Sequence, residues 1–246
     1  MSRDQNALLA RLPRTDRARL LSGCEGVHLS LSQVLWDAGD RQASVLFPVD
    51  GFVSQVVQLP GHVGTVEVGM VGREGLVGAA LALGVPIAPV GAVVQGAGLA
   101  WRLDAHRFEL ELQASEALRG LVQRYLYVTL VQWGTASACR SFHSLQERLA
   151  RWLLMSQDRA HADEFRVTHE FMGLMLGVRR EGVTVAAGEL QSAGVIRYHR
   201  GVVRVCDRLA LESRACACFA ADGEVYRASL GPGRERRPRS KGGLRR

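Results

Sequence analysis

The fold is decided by residues 166–205, which read RVTHEFMGLMLGVRREGVTVAAGELQSAGVIRYHRGVVRV. Thr168 suits a helix N-cap, because its hydroxyl can accept a hydrogen bond from an otherwise unpaired backbone N–H. An apolar stripe at helical spacing follows, made of Met172, Met175 and Leu176. Gly177 then stands where a helix ends and the chain must turn sharply. The pattern predicts a short helix followed by a tight turn.

A second helix and a hairpin complete this stretch. Its inward apolar positions are Val183, Ala187 and Leu190. Residues 197–205 then alternate like two strands around His199-Arg200-Gly201. Two helices, a tight turn and a small hairpin predict a winged helix-turn-helix. The second helix opens with Arg179-Arg180-Glu181, the place where such a helix meets base edges in the major groove.

The composition is that of a folded chain with a basic end. The chain has 246 residues, of which 47% are hydrophobic and 22% charged, so we expect a packed core in one large or two ordinary domains. Residues 227–246 hold eight Arg or Lys residues and one acidic residue, which accounts for the whole net charge of +7. This segment is rich in Gly and Pro, so we predict a disordered basic tail. Such a tail is either solubilising or adds phosphate contacts.

A strand-rich region precedes the helices. Residues 26–103 consist of short apolar or alternating runs separated by turn signals such as Asp50-Gly51 and Pro60-Gly61. We predict a small antiparallel roll, able to hold a small ligand. Residues 75–101 carry no charge but contain two prolines and six glycines, which disfavours a membrane-spanning helix. The N-terminus shows no secretory signal. We therefore expect a soluble cytoplasmic protein with no membrane partner.

A long helix is predicted over residues 105–138. Its apolar stripe has no obvious partner within the chain and consists of Leu118, Leu121, Val122, Tyr125, Val128, Thr129, Gln132, Trp133 and Ala136. A helix of this kind often packs on its copy in a second subunit, the alternative being an ordinary core helix lying on the roll. A hinge is expected at 138–143. Ser144 and Glu147 then form a capping box, and polar residues 156–165 suggest a loop.

The cysteines and histidines give no clear site by their spacing. Five cysteines and no secretion signal argue against a disulfide framework. Cys216 and Cys218 are too close in sequence for a usual zinc pair, with no second pair nearby, so we expect structural thiols. No two of the seven histidines have metal-ligand spacing. We therefore predict neither a metal site nor a catalytic residue.

Two segments resemble the Crp/Fnr family of bacterial transcription regulators. They are THEFMGLMLGVRREGVTVAAGELQSAGVI in the predicted winged helix and FHSLQERLARWLL at residues 142–154, and the resemblance extends over about residues 10–215. It implies an α+β fold with an N-terminal cyclic-nucleotide-binding-like β-roll, a long central dimerisation helix and a C-terminal winged helix-turn-helix. It also implies a homodimer on a palindromic site, with RNA polymerase as a further candidate partner.

The resemblance also indicates which residues would contact DNA. The base-reading positions of the family fall on Arg180, Glu181 and Val185. Arg can pair bidentately with guanine, a carboxylate can accept from cytosine, and Val185 departs from the arginine of well-known members. Basic residues of the wing are candidates for phosphate contact. The complete predicted DNA-binding set is Thr168, Arg179, Arg180, Glu181, Thr184, Val185, Arg197, His199, Arg200 and Arg204.

The sensor positions of the family are not retained. Its ribose-binding Gly-Glu pair falls on Gly78-Ala79, and its phosphate-binding Arg-Ser pair on about Ala88-Pro89. A buried phosphate needs a cation and hydrogen-bond donors. Iron–sulfur members need four cysteines near the N-terminus, where this chain has only Cys24. We therefore predict no cofactor and expect neither cyclic AMP nor an iron–sulfur cluster to bind.

The sequence thus predicts a dimeric, sequence-specific transcription regulator that is not an enzyme. Its predicted divisions are a sensor roll with the dimerisation helix at 1–138, a winged helix-turn-helix at 139–226 and the basic tail at 227–246. Two alternatives remain open. One is a cupin-like metal enzyme built on the roll, which would need close histidines and a carboxylate on neighbouring strands. The other is an interaction module whose helix-turn-helix is vestigial.

Overall fold

The computed structural model describes residues 6–59, 61 and 64–231. The N-terminal part contains α1 (Arg14–Ser22), seven strands and two short 3₁₀ helices at Leu9–Arg11 and Ala79–Leu83. The strands are β1 (Glu25–Leu29), β2 (Val34–Trp36), β3 (Ser44–Pro48), β4 (Phe52–Gln58), β5 (Thr65–Val71), β6 (Gly91–Gly96) and β7 (Gly98–Asp104). Two helices follow, α2 (Ala105–Ala114) and α3 (Glu116–Phe142).

The C-terminal part is mostly helical. Its elements are α4 (Leu145–Ala160), β8 (Glu164–Arg166), α5 (His169–Leu176), α6 (Arg180–Ser192), β9 (Ile196–His199), β10 (Val202–Val205), α7 (Arg208–Arg214) and α8 (Cys218–Leu230). This architecture confirms the predicted α+β class, with a strand roll, a long helix and a winged helix-turn-helix. No described helix is long and apolar enough to cross a membrane.

The roll consists of two antiparallel sheets with strand orders β1-β7-β3 and β2-β6-β4-β5. Buried aliphatic side chains from both sheets, including Leu46, Val53 and Val94, fill the space between them. The predicted turn at Asp50-Gly51 joins β3 to β4, and Gly51 has φ +73°. A Cβ there would lie 2.4 Å from the Gly96 carbonyl oxygen, so the turn requires glycine. Pro60 of the second predicted turn lies outside the described residues.

The apolar stripe of α3 is buried within its own chain, which corrects the prediction that it has no partner there. Leu121 and Val128 are 4% and 1% exposed and belong to a core shared with the roll and α8. The stripe is therefore the core-facing side of the helix, and a different face remains exposed. That face carries Tyr127 and Leu130, which are 57% and 64% exposed.

Several predicted boundaries move. Helix α3 runs to Phe142, so the break expected at 138–143 is confined to His143 and Ser144. The capping box of Ser144 and Glu147 is confirmed at the start of α4. The predicted loop at 156–165 is wrong at both ends, because α4 continues to Ala160 and β8 begins at Glu164. Residues 227–230 belong to α8 rather than to a disordered tail, and residues 232–246 lie outside the described part of the chain.

The C-terminal helices pack directly on the roll. Phe52, Val56 and Met70 of the roll belong to the same buried cluster as Met172 and Leu190 of the helix-turn-helix. The domain boundary at residue 138 stays a prediction. The apolar core is continuous between the roll and the helix-turn-helix on either side of this boundary. The helix-turn-helix is thus held against one sheet of the roll while its other side faces solvent.

Candidate DNA interface

The first helix of the motif, α5, has the N-cap and the C-terminal glycine that its sequence predicts. The Thr168 hydroxyl accepts a hydrogen bond from the Phe171 N–H at 3.1 Å, which caps α5. Gly177 ends the helix with φ +67°, a conformation that favours glycine. The Val178 N–H donates to the Gly173 carbonyl at 2.9 Å and closes the turn. The turn therefore fixes where the second helix begins.

The second helix, α6, presents its polar side to solvent. Its inward residues Val183, Ala187 and Leu190 are buried against α4 and α5, as predicted. Arg179 is the N-cap residue, and Arg180 and Glu181 occupy the first turn. Arg179, Arg180, Glu181, Thr184 and Val185 are all exposed. The N-terminal end of α6 therefore places the predicted base-reading side chains on an exposed surface.

The wing lies beside this surface. Strands β9 and β10 pair antiparallel, and β8, which the sequence did not predict, adds a third strand on the far side of β10. Arg200 and Gly201 connect β9 to β10 with φ +47° and +76°, a two-residue turn with both residues left-handed. The four predicted wing contacts, Arg197, His199, Arg200 and Arg204, are exposed. The charges of the three arginines suit contact with phosphate oxygens.

His169 and Tyr198 join the two helices to the wing, and sequence reasoning missed both. The His169 ring stacks on Tyr198 with centroids 4.1 Å apart, and its Nδ1 lies 3.0 Å from Thr184 Oγ1. Burial lowers the pKa of His169, and the positive charge of Arg180 lowers it further. The neutral form of the imidazole is therefore favoured next to α6. In the sequence, a single histidine after a capping threonine does not indicate that its side chain contacts both α6 and the wing.

The positions that would hold a cyclic nucleotide are apolar and buried. Ala79 and Ala88, where the family has a carboxylate and an arginine, are 7% and 2% exposed. Ala79 lies in the core cluster that also contains Leu118 and Tyr125 of α3. These side chains pack between the roll and the long helix. Ala79 is thus part of the packed core between the roll and α3.

One group of possible metal ligands comes together at the C-terminal end of α3. Cys139, His143, Cys216 and Cys218 place one ligand atom each within 4.8 Å of one another. The inference that Cys216 and Cys218 have no second pair of ligands nearby is therefore wrong, because Cys139 and His143 lie next to them in the fold. Among the described residues, no other cluster of three or more potential ligands occurs, so the cupin-like alternative gains no support there.

Comparison with known proteins agrees with this architecture. Residues 147–214 match the sequence model of the Crp-like helix-turn-helix domain. FixK2 from Bradyrhizobium japonicum is similar in structure, with a TM-score of 0.67, 15% identity and coverage of 79% of this chain and 98% of that chain. The c-di-GMP responsive global regulator CLP from Xanthomonas campestris gives a TM-score of 0.64 at 16% identity, covering 78% and 99%.

A CRP-family transcriptional regulator from Thermus thermophilus gives a TM-score of 0.62 at 22% identity, covering 77% of this chain and 96% of that chain. At such identities these likenesses show a shared fold. No curated protein sequence matches this chain. The match over residues 147–214 and the shared fold agree with the resemblance to the Crp/Fnr family.

Proposed function

We propose that this chain, with its Crp/Fnr fold and Crp-like helix-turn-helix domain, binds a palindromic DNA site as a homodimer and responds to no cyclic nucleotide. The domain match and the fold support a DNA-binding regulator. The observation that carries the finer proposal is the free surface formed by Arg180, Glu181 and the wing. A cytoplasmic location follows from DNA as the ligand, and RNA polymerase is the further partner expected at a promoter.

The DNA-facing surface divides into two kinds of contact. Arg180 and Glu181 lie in the first turn of α6, where an arginine can read guanine and a carboxylate can accept from cytosine. Val185 is 63% exposed one turn later, so it can contact a thymine methyl group. The exposed arginines of the wing supply charge for the backbone. We infer that α6 selects the half-site and that the wing fixes its position.

The exposed face of α3 supports the dimer. It is a stripe whose spacing alternates between four and three residues, made of Gln123, Tyr127, Leu130, Gly134, Ser137 and Ser141. This is the repeat by which two helices pack along one seam. A Cβ at Gly134 would have no neighbour within 4 Å in the chain, so packing inside the protomer does not require this glycine. A glycine or serine at the seam lets a second helix approach closely. We propose that two copies of α3 meet along this stripe.

The buried apolar positions at Ala79 and Ala88 support the absence of cyclic-nucleotide binding. A phosphate placed against these two alanine side chains would be desolvated and would gain no ion pair or hydrogen bond from them, which costs several kcal/mol. The proposal leaves the roll as a structural support for the helix-turn-helix, with no effector assigned.

In vitro selection from random duplexes tests this function. The expected result is a two-fold symmetric consensus whose half-sites lie about one helical turn apart, bound by two chains. Sedimentation of the complex gives the chain count. Recovery of no consensus would contradict the proposal and favour the interaction module. An asymmetric site bound by one chain would contradict the dimer.

A further inference from the structure

Four side chains from two distant segments converge at the C-terminal end of α3. Cys139 lies in the last turn of α3, and His143 follows four residues later as its C-cap. Cys216 and Cys218 lie at the start of α8. The Cys139 and Cys216 sulfurs are 3.5 Å apart, and the Cys218 sulfur is 3.7 Å from His143 Nδ1. Packing of α3 against α8 brings Cys139 and His143 next to Cys216 and Cys218.

The dimensions of this cluster fit one tetrahedral ion. Zinc binds thiolate at about 2.3 Å and imidazole at about 2.0–2.1 Å, so tetrahedral ligand atoms lie about 3.5–3.8 Å apart. The two measured pairs have such distances, and all four atoms lie within 4.8 Å. Three thiols and one imidazole are a ligand set of structural zinc sites. We propose that Cys139, His143, Cys216 and Cys218 bind a zinc ion.

The surroundings suit the charge of such a site. Three thiolates, a neutral imidazole and Zn²⁺ carry a net charge of about −1. Arg151 acts electrostatically on the thiols of Cys139, Cys216 and Cys218. Arg151 is itself held by Asp222 of α8 at 2.5 Å.

A disulfide between Cys139 and Cys216 is the competing explanation for two sulfurs 3.5 Å apart. That bond would involve only two of the four groups. It would not explain why the Cys218 sulfur lies next to His143. Cys139 and Cys216 are buried while Cys218 and His143 are half-buried, so an ion has a path to the site. The convergence of all four groups favours a metal over a disulfide.

The site would fix the relation between the long helix and the C-terminal helices. His143 stands at the break between α3 and α4, and Cys216 and Cys218 precede or begin α8. One ion would therefore tie the end of α3 to α8 next to the point where the DNA-binding domain begins. The role is structural, since four protein ligands leave no open position for a substrate.

Elemental analysis of the full-length protein, expressed with zinc and purified under reducing conditions, tests the proposal. We expect about one zinc per chain and little iron or sulfide. Cys139→Ser and Cys216→Ser should each lower the zinc content strongly. Cys24→Ser and Cys206→Ser, at the two cysteines outside the cluster, are matched controls and should retain zinc. Iron with sulfide, or zinc that persists in both cluster variants, would overturn the assignment.

A second measurement needs no variant, so it stands even if a substitution prevents folding. The native protein is alkylated with and without a zinc chelator, and the modified cysteines are located by mass spectrometry. Cys139, Cys216 and Cys218 should be protected until zinc is removed. With cobalt in place of zinc, the protein should show thiolate-to-cobalt charge-transfer absorption. An alkylation pattern that the chelator leaves unchanged, or a mass deficit of two hydrogens from a Cys139–Cys216 bond, would overturn the proposal.

Discussion

The imidazole Nδ1 of His169 lies 3.0 Å from the hydroxyl oxygen of Thr184. The Thr184 hydroxyl donates to the Arg180 carbonyl at 3.0 Å, so its single proton is used there. His169 therefore donates from Nδ1 to Thr184. The opposite nitrogen, Nε2, is buried, and the ring stacks on Tyr198 of the wing. One side chain of α5 thus contacts both α6, the predicted base-reading helix, and the wing.

Replacing this imidazole should weaken specific DNA binding. His169→Ala removes one hydrogen bond and one ring stack, so we expect a loss of about 1–2 kcal/mol, chiefly in discrimination between sites. Tyr198→Phe retains the stack and should bind almost normally. Fluorescence anisotropy with specific and scrambled duplexes measures both. An unchanged affinity ratio in His169→Ala would show that the link does not position the interface.

Arg180 should carry sequence discrimination. Arg180→Ala should cost about 1–3 kcal/mol on the specific duplex and relax the preference at one base pair of each half-site. Arg41→Ala, an exposed arginine on the roll, is the control and should change neither. Titrating each protein against duplexes that carry single base-pair substitutions measures the affinity and the discrimination. Unaltered discrimination in Arg180→Ala would assign base reading to other residues.

The exposed stripe of α3 should control the oligomeric state. Tyr127→Glu combined with Leu130→Glu places charges on solvent-facing positions, so it should give folded monomers. Specific DNA affinity should fall with the dimer, because one half-site offers about half of the contacts. Leu209→Glu, at an apolar residue that is 78% exposed on α7, is the control. A double variant that still sediments as a dimer would locate the interface elsewhere.

Glu67 should make stability depend on pH. Burial raises the pKa of Glu67 from 4.5 to about 7, although the Ser54 hydroxyl and the charges of Arg159 and Arg151 oppose this. The Ser54 oxygen lies 2.6 Å from Glu67 and also contacts the Gln95 side-chain oxygen. One hydroxyl proton cannot serve two acceptors, and a protonated Glu67 can supply the second hydrogen bond.

The folded state therefore binds a proton that the unfolded state releases between pH 4.5 and about 7. The free energy of unfolding should fall across this window by up to about 3 kcal/mol and stay lower above it. Glu67→Gln should remove this loss, whereas Glu109→Gln, at an exposed carboxylate, should not. Urea unfolding at pH 5 and pH 8 compares the three proteins. An equal pH dependence in wild type and Glu67→Gln would contradict the prediction.

Cyclic AMP and cyclic GMP should not bind. Ala79 and Ala88 offer neither the carboxylate nor the cation that a cyclic nucleotide needs, and both are buried. Calorimetry on DNA-binding-competent protein is the measurement. Saturable micromolar binding of either nucleotide would show that the roll holds the phosphate in some other way.

The sequence alone determined the elements whose signals are local. Thr168, Gly177 and the apolar spacing between them predict α5, its turn and α6, because capping, left-handed glycine and helical periodicity depend on residues a few positions apart. The exposed face of α6 follows from the same periodicity. The capping box at Ser144 is equally local.

Only the tertiary structure decided what depends on distant segments meeting. The stripe at Leu121 and Val128 has the same periodicity whether it faces the roll or a second subunit, and only packing showed that it faces the roll. Strand β8 exists because it pairs with β10, some forty residues later. Cys139 and Cys216 are 77 residues apart in sequence and 3.5 Å apart in space. Spacing rules for metal sites describe ligands close in sequence, whereas here helix packing brings them together.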